Sequence, residues 1–240
     1  MNMLFRFAFI ACATWAMLTA CASHAPERTA EPSLKLSEGA KVGVFIGISP
    51  QPKQLHQGMT VAGNFVKTYP FNWGLEKDVR STINEALKAQ GLVPIDLNEA
   101  KLNAGYLTLQ ELPAIREQSG VQAIVVVKNV RSYIGLPVHQ YADVPGVYSV
   151  RTWLRTSFTT VAPLQWNVWS LDGLGEDIAT RPELAKQLNT LRQMRPEMWK
   201  GVEVADYEAI TAAEFQPVKA IILRSVAQTA EQVARTLVAR

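Results

Sequence analysis

The sequence predicts an α/β domain in which a mixed β-sheet packs with helices, in the order β-α-β-α-β-β-β-α with a helical insert before the last helix. Residues 41–48 and 121–130 are short, β-rich apolar runs of the kind that form buried strands. Between them, apolar residues recur at every fourth position across residues 75–90, which indicates a helix. We expect a single domain over residues 41–240, with residues 172–216 as the insert.

The first helix is expected to follow a loop at residues 49–71. Its predicted apolar stripe consists of Leu75, Val79, Ile83 and Leu87. Asn72 is the expected N-cap, and Gly91 is the expected residue just past the C-terminus. Residues 92–97 then read as a short strand. Pro94 within it indicates a place near a sheet edge, because proline cannot donate a hydrogen bond to a neighbouring strand.

A second helix is predicted to end at Gly120. A threonine and a glutamate before it have capping-box spacing, at Thr108 and Glu111. Pro113 leaves its first residue open. The side chains expected to face inward are those of Leu112 and Ile115. The run at residues 121–130 is the most apolar of the domain, so it is predicted to be a central strand.

Residues 148–158 and 164–171 alternate apolar and polar residues, as an antiparallel pair with one buried face does. Pro163 lies at the turn expected between them. The inward side chains are expected to be Tyr148, Val150, Leu154 and Phe158 in the first segment, and Leu164, Trp166 and Val168 in the second. The opposite face gathers Trp153, Trp169, Arg151 and Arg155. Because tryptophan and arginine are enriched at interfaces, these four form a candidate partner surface. The alternative is that helices or the insert cover this face.

The insert and the last helix are both predicted to be helical. In the insert, a capping-box pair precedes three leucines on one side, namely Thr180 and Glu183 with Leu184, Leu188 and Leu191. Pro217 opens the last helix, as proline does at a first helical turn. Its apolar face is expected to carry Ile222, Val226, Ala230, Val233 and Leu237.

The order of these segments resembles that of a group of bacterial envelope domains. The resemblance rests on VGVFIG, the helix at residues 75–90, AQGLVPID, SGVQAIVVVKNV and LQWNVWSLDG. Similar domains occur at the N-terminus of TolB, in the curli secretion channel lipoprotein, in lipoprotein activators of penicillin-binding proteins and in the Pel polysaccharide lipoprotein. The resemblance covers roughly residues 41–171 and 217–240. It implies a protein that binds and assembles, and it brings no catalytic residues.

The first twenty residues are predicted to be a signal peptide. Residues 7–18 form an apolar run of twelve residues, which is shorter than the roughly 20 residues that cross a bilayer as a helix. The tetrapeptide Leu18-Thr19-Ala20-Cys21 then matches the lipobox of bacterial lipoproteins. We therefore expect cleavage before Cys21 and lipid on its thiol. Residues 21–40 are expected to be a flexible tether, and Ala22 favours the outer membrane by resemblance to the enteric sorting rule.

The composition indicates few groups for catalysis, metal binding or nucleic-acid binding. The net charge is only +3, and the sequence has no cluster of basic residues of the kind found in nucleic-acid binders. Cys12 would leave with the signal peptide and Cys21 would be alkylated, so no disulfide or thiolate metal site is expected. The three histidines are expected in solvated loops or the tether, at His24, His56 and His139. Gly173 and Gly175 are expected in a turn. The acidic side chains beside them are expected to be solvated, at Asp172, Glu176 and Asp177.

These observations predict an outer-membrane-anchored periplasmic lipoprotein that binds, scaffolds or assists assembly in the cell envelope without catalysis. No cofactor and no metal are expected. Its partners would be the membrane through Cys21 and an envelope protein or polymer, with self-association as a further form. The alternatives are a periplasmic hydrolase that uses acidic residues near Asp172 and Asp177, or a lipoprotein that captures a small ligand.

Overall fold

The computed structural model describes residues 36–97, 112–133, 141–171 and 208–238. The chain divides into two compact units, Met1–Glu31 and Pro32–Arg240, and every described residue belongs to the second. Several predicted features lie outside the described residues. They are the signal peptide, Cys21, most of the tether, His24, the Thr108 and Glu111 capping box, the side chain of Leu112, His139, Asp172, Glu176, Asp177, the turn at residues 173–175 and the helix of the insert.

The described residues form ten strands and three helices. The strands are β1 (Lys41–Gly47), β2 (Lys53–Gln57), β3 (Phe65–Thr68), β4 (Val93–Asp96), β5 (Ala123–Asn129), β6 (Ser132–Tyr133), β7 (Tyr141–Ala142), β8 (Gly146–Arg151), β9 (Thr156–Val161) and β10 (Leu164–Ser170). The helices are α1 (Leu75–Lys88), α2 (Leu112–Ser119) and α3 (Gln216–Leu237). Among these helices, none combines the length and the apolar character that a membrane crossing requires.

The first sheet has the strand order β10-β5-β1-β4. β1 lies parallel to both β4 and β5, whereas β10 runs antiparallel to β5. This mixed sheet, packed with helices, confirms the predicted α/β class. It also confirms that the run at residues 121–130 is an interior strand and that Pro94 lies in an edge strand.

One face of the first sheet is covered by α1 and α3. Alternate side chains of the two middle strands pack against these helices, namely Val42, Val44, Ile46, Ala123, Val125 and Val127. The predicted stripe of α1 is buried, which confirms it: Leu75, Val79, Ile83 and Leu87. The predicted face of α3 is buried as well: Ile222, Val226, Ala230, Val233 and Leu237. Lys219 joins the two helices through an ion pair of 2.6 Å between its Nζ and the Asp78 carboxylate.

The ends of α1 agree with the sequence at one terminus and differ at the other. Gly91 has a φ of 75°, and its N–H donates to the carbonyl oxygen of Lys88 at 3.0 Å, so its expected role is confirmed. The expected N-cap was wrong, because Gly74 caps α1 in the left-handed conformation. Asn72 instead accepts a hydrogen bond of 2.8 Å from the N–H of Gly74. Its side chain therefore shapes the turn before the helix.

The other face of the first sheet forms a second, smaller core with α2. The side chains here occupy the alternate positions of β1 and β5, namely Phe45, Ile124 and Val126, and they are joined by Ile115, Val121, Leu97 and Leu171. Ile115 is buried, as predicted. Helices therefore lie on both faces of the first sheet, which explains why its middle strands are apolar throughout.

The second sheet has the strand order β3-β2-β8-β9, and the prediction of a loop at residues 49–71 was wrong because this segment supplies two of its strands. β2 pairs antiparallel with β3 and parallel with β8. Gln54 and His56 of β2 are buried, and hydrogen bonds to other side chains satisfy them. Buried polar residues of this kind leave no apolar alternation in the sequence, so the strand could not be recognised from its pattern.

The predicted pairing of residues 148–158 with residues 164–171 was also wrong. The first segment folds on itself, since β8 and β9 form a hairpin, and β10 pairs with β5 in the first sheet. The positions of the buried side chains in this segment also differ from the prediction. Ser149 is fully buried, whereas Leu154, expected to face inward, is exposed in the hairpin turn. Apolar alternation marks a strand with one buried face but does not say which strand will be its partner.

The close approach of β2 and β8 generates a testable prediction. A Cβ atom at Gly146 would overlap the carbonyl oxygen of Lys53 in the neighbouring strand, where only displacement of the backbone relieves the clash. Gly146→Ala should therefore lower the melting temperature. Gly47→Ala is the matched control, because its Cβ would meet its neighbours at ordinary contact distances of 3.4 Å or more. Equal melting temperatures of the two variants, measured by circular dichroism, would contradict this packing.

Candidate interaction surface

The turn between β8 and β9 presents two large apolar side chains to solvent. Trp153 is 91% exposed and Leu154 is 96% exposed. Hydrogen bonds close this turn. Both the backbone N–H and the hydroxyl of Thr152 donate to the carbonyl oxygen of Arg155 at 2.8 Å, and the N–H of Arg155 donates to Oγ1 of Thr152 at 3.2 Å. The two apolar residues therefore project from an ordered turn.

A second loop with exposed apolar residues lies at the same end of the second sheet. β2 and β8 are parallel neighbours, and Gln57 at the end of β2 pairs with Val150 near the end of β8. The loop after β2 and the turn after β8 consequently leave the sheet side by side. Met59 and Val61 in this loop are 55% and 80% exposed. We call Met59, Val61, Trp153 and Leu154 the apolar tip.

The loop after β2 is also internally hydrogen-bonded. The amide oxygen of Asn64 accepts a bond of 2.9 Å from the N–H of Gly58, which ties the two ends of the loop together. Within it, the N–H of Gly63 donates to the carbonyl oxygen of Thr60 at 3.0 Å, in the 3₁₀ turn Val61–Gly63. Both parts of the apolar tip therefore stand on ordered backbone.

Two arginines flank the apolar pair of the hairpin turn. Arg151 is the last residue of β8, and Arg155 directly precedes β9. Both are exposed, and the Arg151 guanidinium donates a hydrogen bond of 3.1 Å to Oγ1 of Thr156. Residues 58–64 and 151–155 contain no aspartate or glutamate. The two loops that carry the apolar tip therefore bear the two guanidinium groups and no carboxylate.

The structure brings together three of the four predicted surface residues. Trp153, Arg151 and Arg155 share the hairpin turn, whereas Trp169 lies in the first sheet and packs against its smaller core. The prediction that the two tryptophans share a face was wrong, because β10 belongs to a different sheet from β8. No part of the chain that the structure describes covers Trp153, which is almost wholly exposed. Residues 172–207 of the insert, the other element in the stated alternative, lie outside the described residues.

Sequence reasoning missed three of the four residues of the apolar tip. Leu154 was assigned to the core, and Met59 and Val61 fell in a segment read as a featureless loop. A signal for the hairpin existed in Arg151-Thr152-Trp153-Leu154-Arg155, because a threonine can close a turn by bonding the backbone around it. Nothing in the sequence places the loop after β2 next to that turn. The parallel pairing of β2 and β8 does so.

A chain of buried hydrogen bonds lies beneath the apolar tip. The N–H of Ile210 donates to the Tyr69 hydroxyl at 3.2 Å, and that hydroxyl donates to Oε1 of Gln54 at 2.6 Å. Nε2 of Gln54 then donates to Oγ of Ser149 at 2.9 Å, and Oγ of Ser149 lies 2.8 Å from Nδ1 of His56. The proton of this last bond lies on Oγ of Ser149 or on Nδ1 of His56 according to the tautomer of the imidazole.

His56 is buried, so the prediction of a solvated loop histidine was wrong. The ring is 2% exposed and stacks on Phe65 with 4.6 Å between centroids. Burial lowers the pKa of His56 below its ordinary value; the carboxylate of Glu208 opposes this shift and the guanidinium of Arg151 reinforces it. The serine and the histidine are both closed to a substrate in this conformation, so their contact braces β2 against β8.

The remaining features of the described residues suggest no second site. In the ranges that the structure describes, no three side chains of histidine, cysteine, aspartate or glutamate come together as a metal site. An open groove of about 400 Å³ runs between α1 and α3. Its floor is made of small residues and its rim is charged; lining residues include Ala86, Ala89, Ala227, Glu85, Glu231 and Arg235. The described part of its lining contains no histidine, serine or cysteine that could pair with an acidic residue for catalysis.

Comparison with known proteins gives a weak structural likeness. No family model and no curated protein matches the sequence. Among solved structures, a chain of a PelC dodecamer from Paraburkholderia phytofirmans, solved as a single-substitution variant, is similar, with 13% sequence identity. The match covers 80% of the present chain and 95% of that chain, with a TM-score of 0.26. A likeness this slight establishes neither the fold nor the function of the protein.

The exposure of Trp153 predicts that its removal leaves the fold intact. Trp153→Ala should change the melting temperature little, because the indole contacts solvent rather than a core. Trp166→Ala is the matched control, since Trp166 is 2% exposed and belongs to the main core. Its truncation should cost about 3–5 kcal/mol. Urea unfolding of both variants measures this difference, and a large loss of stability in Trp153→Ala would show that the turn is covered.

The buried imidazole predicts a dependence of stability on pH. The folded state depresses the pKa of His56, so the unfolded state binds the proton more readily. The contribution of neutral His56 is therefore complete above the unfolded pKa of about 6.5 and is lost as the pH falls towards the folded pKa. His56→Gln, which does not titrate, should reduce the loss of unfolding free energy between about pH 7 and pH 5. Parallel stability–pH curves for the two proteins would contradict a buried neutral histidine.

Proposed function

We propose that this protein is a lipid-anchored lipoprotein of the bacterial cell envelope, at the outer membrane and facing the periplasm. It acts as a non-catalytic binding or scaffold accessory. Lipid on Cys21 holds it to the membrane, and the apolar tip is the surface with which the folded domain contacts another envelope component.

The observation that carries the proposal is the exposure of Trp153 and Leu154 on an ordered hairpin. Large apolar side chains that are almost wholly exposed and stand together mark an interaction site in a soluble domain. The base of the same hairpin is firmly held, since Val147 and Phe158 belong to the main core. The hairpin is therefore packed firmly at its base, while the side chains at its turn contribute nothing to the core.

The chemistry of the apolar tip suits contact rather than proton transfer. Its side chains are apolar, and the charged groups in the same two loops are the guanidinium groups of Arg151 and Arg155. General acid–base catalysis needs a group that titrates near the working pH and meets a substrate. Arginine stays protonated throughout that range. The one imidazole close to this end of the sheet, among the residues that the structure describes, is that of His56, and it is buried.

The start of the described chain is compatible with a membrane tether. The N–H of Leu36 donates to the carbonyl oxygen of Leu237 at 2.8 Å, and Leu36 forms a parallel bridge with Val238. The chain thus joins the domain at the C-terminal end of α3. Fourteen residues, 22–35, separate this junction from Cys21. A lipid on Cys21 would hold the domain to a membrane without occupying its folded surface.

The anchor is tested by substitution of the two cysteines. Cys21→Ser should abolish labelling by radioactive palmitate and accumulate a precursor larger than the mature protein, because sulfur is the acyl acceptor. Cys12→Ser is the matched control and should be labelled and processed normally, since that cysteine lies in the predicted signal peptide. A Cys21→Ser protein that is still labelled and processed like the wild type would contradict the lipoprotein proposal.

The binding role is tested by photocrosslinking in intact cells. A photoreactive amino acid at position 154 should give an adduct with an envelope component. The same amino acid at position 228, on the side of α3 away from its buried face, serves as the control and should give none. Equal labelling from the two positions, or none from position 154, would count against the apolar tip as a binding surface.

A further inference from the structure

We infer that the component contacted by the apolar tip is a lipid bilayer with anionic headgroups, the same membrane that holds the lipid on Cys21. This inference rests on the proposed function and names the partner of its binding surface. The domain would then touch its membrane at two places, the covalent lipid and the apolar tip. Two contacts of this kind fix how the domain is presented to the periplasm.

The form of the surface favours a bilayer over a folded protein. The two loops that carry it comprise seven and five residues, 58–64 and 151–155. A stable interface between proteins uses about 20–30 residues on each side. Trp153 and Leu154 protrude with 91% and 96% of their surface exposed, so a protein partner would need a matching pocket for each. A fluid bilayer accommodates protruding side chains without a complementary shape.

The residue types suit the boundary between headgroups and acyl chains. Tryptophan has an apolar ring and a polar N–H, and it is enriched at this boundary in membrane proteins. Leu154, Met59 and Val61 add apolar side chains that cost little to desolvate. Because the loops leave adjacent parallel strands at one end of the second sheet, all four side chains can enter the bilayer together.

The charges beside the apolar tip complement an anionic membrane. Arg151 and Arg155 each stand one or two residues from the Trp153–Leu154 pair, so their guanidinium groups are placed to meet phosphates when that pair is inserted. Neither loop carries a carboxylate that would oppose this approach. The same charges disfavour the meeting of two apolar tips from separate copies, since the guanidinium groups of both copies would then face one another.

The predicted anchor allows this contact. Residues 22–35 can span up to about 46–50 Å when extended. A compact domain of about 200 residues has a radius of gyration of only about 16–17 Å. A tether of that length is longer than the radius of the domain, so a lipid on Cys21 does not hold the domain in a single orientation at the membrane. Linkage through the lipid also raises the local concentration of the apolar tip at the bilayer, so a weak contact suffices.

The experiment uses the mature chain, residues 21–240, with Cys21→Ser so that no acyl chain contributes to binding. It is mixed with vesicles of phosphatidylcholine alone or of phosphatidylcholine with phosphatidylglycerol, and bound protein is measured by sedimentation. We expect binding to the anionic vesicles. The double variant Trp153→Ser with Leu154→Ser should reduce partitioning by about tenfold or more, as loss of two inserted side chains predicts. Val93→Ser, at an exposed apolar site outside the apolar tip, is the matched control and should bind normally.

The contribution of charge is measured with the double variant Arg151→Gln with Arg155→Gln. Each arginine near an anionic surface should change partitioning by roughly fivefold, so this variant should lose the preference for phosphatidylglycerol and the sensitivity to salt. Insertion is measured with Leu154→Cys in the same chain, which has no other cysteine, labelled with an environment-sensitive fluorophore. Its emission should shift to the blue on anionic vesicles, and that of the control Gln228→Cys should not.

Several results would overturn the inference. They are absence of binding to both kinds of vesicle, equal binding by the apolar-tip double variant, and no blue shift at position 154. A protein adduct rather than a lipid adduct from position 154 in cells would also overturn it, while leaving the proposed binding role in place. Normal palmitate labelling of Cys21→Ser would instead contradict the proposed anchoring. Failure of the inference and failure of the proposed function are therefore distinguishable.

Discussion

The burial of both faces of β1 and β5 is the constraint on which the rest of the structure depends. Side chains at even positions of β1 pack under α1 and α3, while Phe45 points to the opposite face and meets the smaller core beside α2. Two parallel strands with apolar side chains on both faces cannot be exposed to water on either side, so the chain must supply helices to each. The sequence meets this demand with α1 and α3 on one side and α2 on the other.

The second sheet depends on that core for its position and leaves its far end free for contact. β9 continues directly into β10, and β10 pairs with β5 along its whole length. Val147 and Phe158 reach into the main core from the second sheet. The hairpin is therefore held at its base by pairing and packing. At its turn Trp153 and Leu154 are almost wholly exposed, so their side chains can enter another environment without leaving a core.

The polar chain from Tyr69 to His56 ties the strands of the second sheet together. Its hydrogen bonds join Tyr69 to Gln54, Gln54 to Ser149, and Ser149 to His56. A buried network of this kind is stable only when all its members are satisfied. Here the bonds cross from β2 to β8, so the two strands whose loops carry the apolar tip are held in fixed register. The residues that support the apolar tip in this way are separate from the residues that form it.

The sequence by itself determined the elements whose signal is local. The stripe of α1, the face of α3 and the apolar runs of β1 and β5 follow from spacing along the chain, and each is confirmed. The lipobox before Cys21 is equally local and stays a prediction. Pairing between distant segments was decided only by the tertiary structure. It placed Trp169 away from Trp153, set Met59 and Val61 beside the hairpin, and buried His56 in a strand read as loop. The physical reason is that alternation and periodicity record which face of an element is buried, whereas the partner that buries it is chosen by competition among all the segments of the chain.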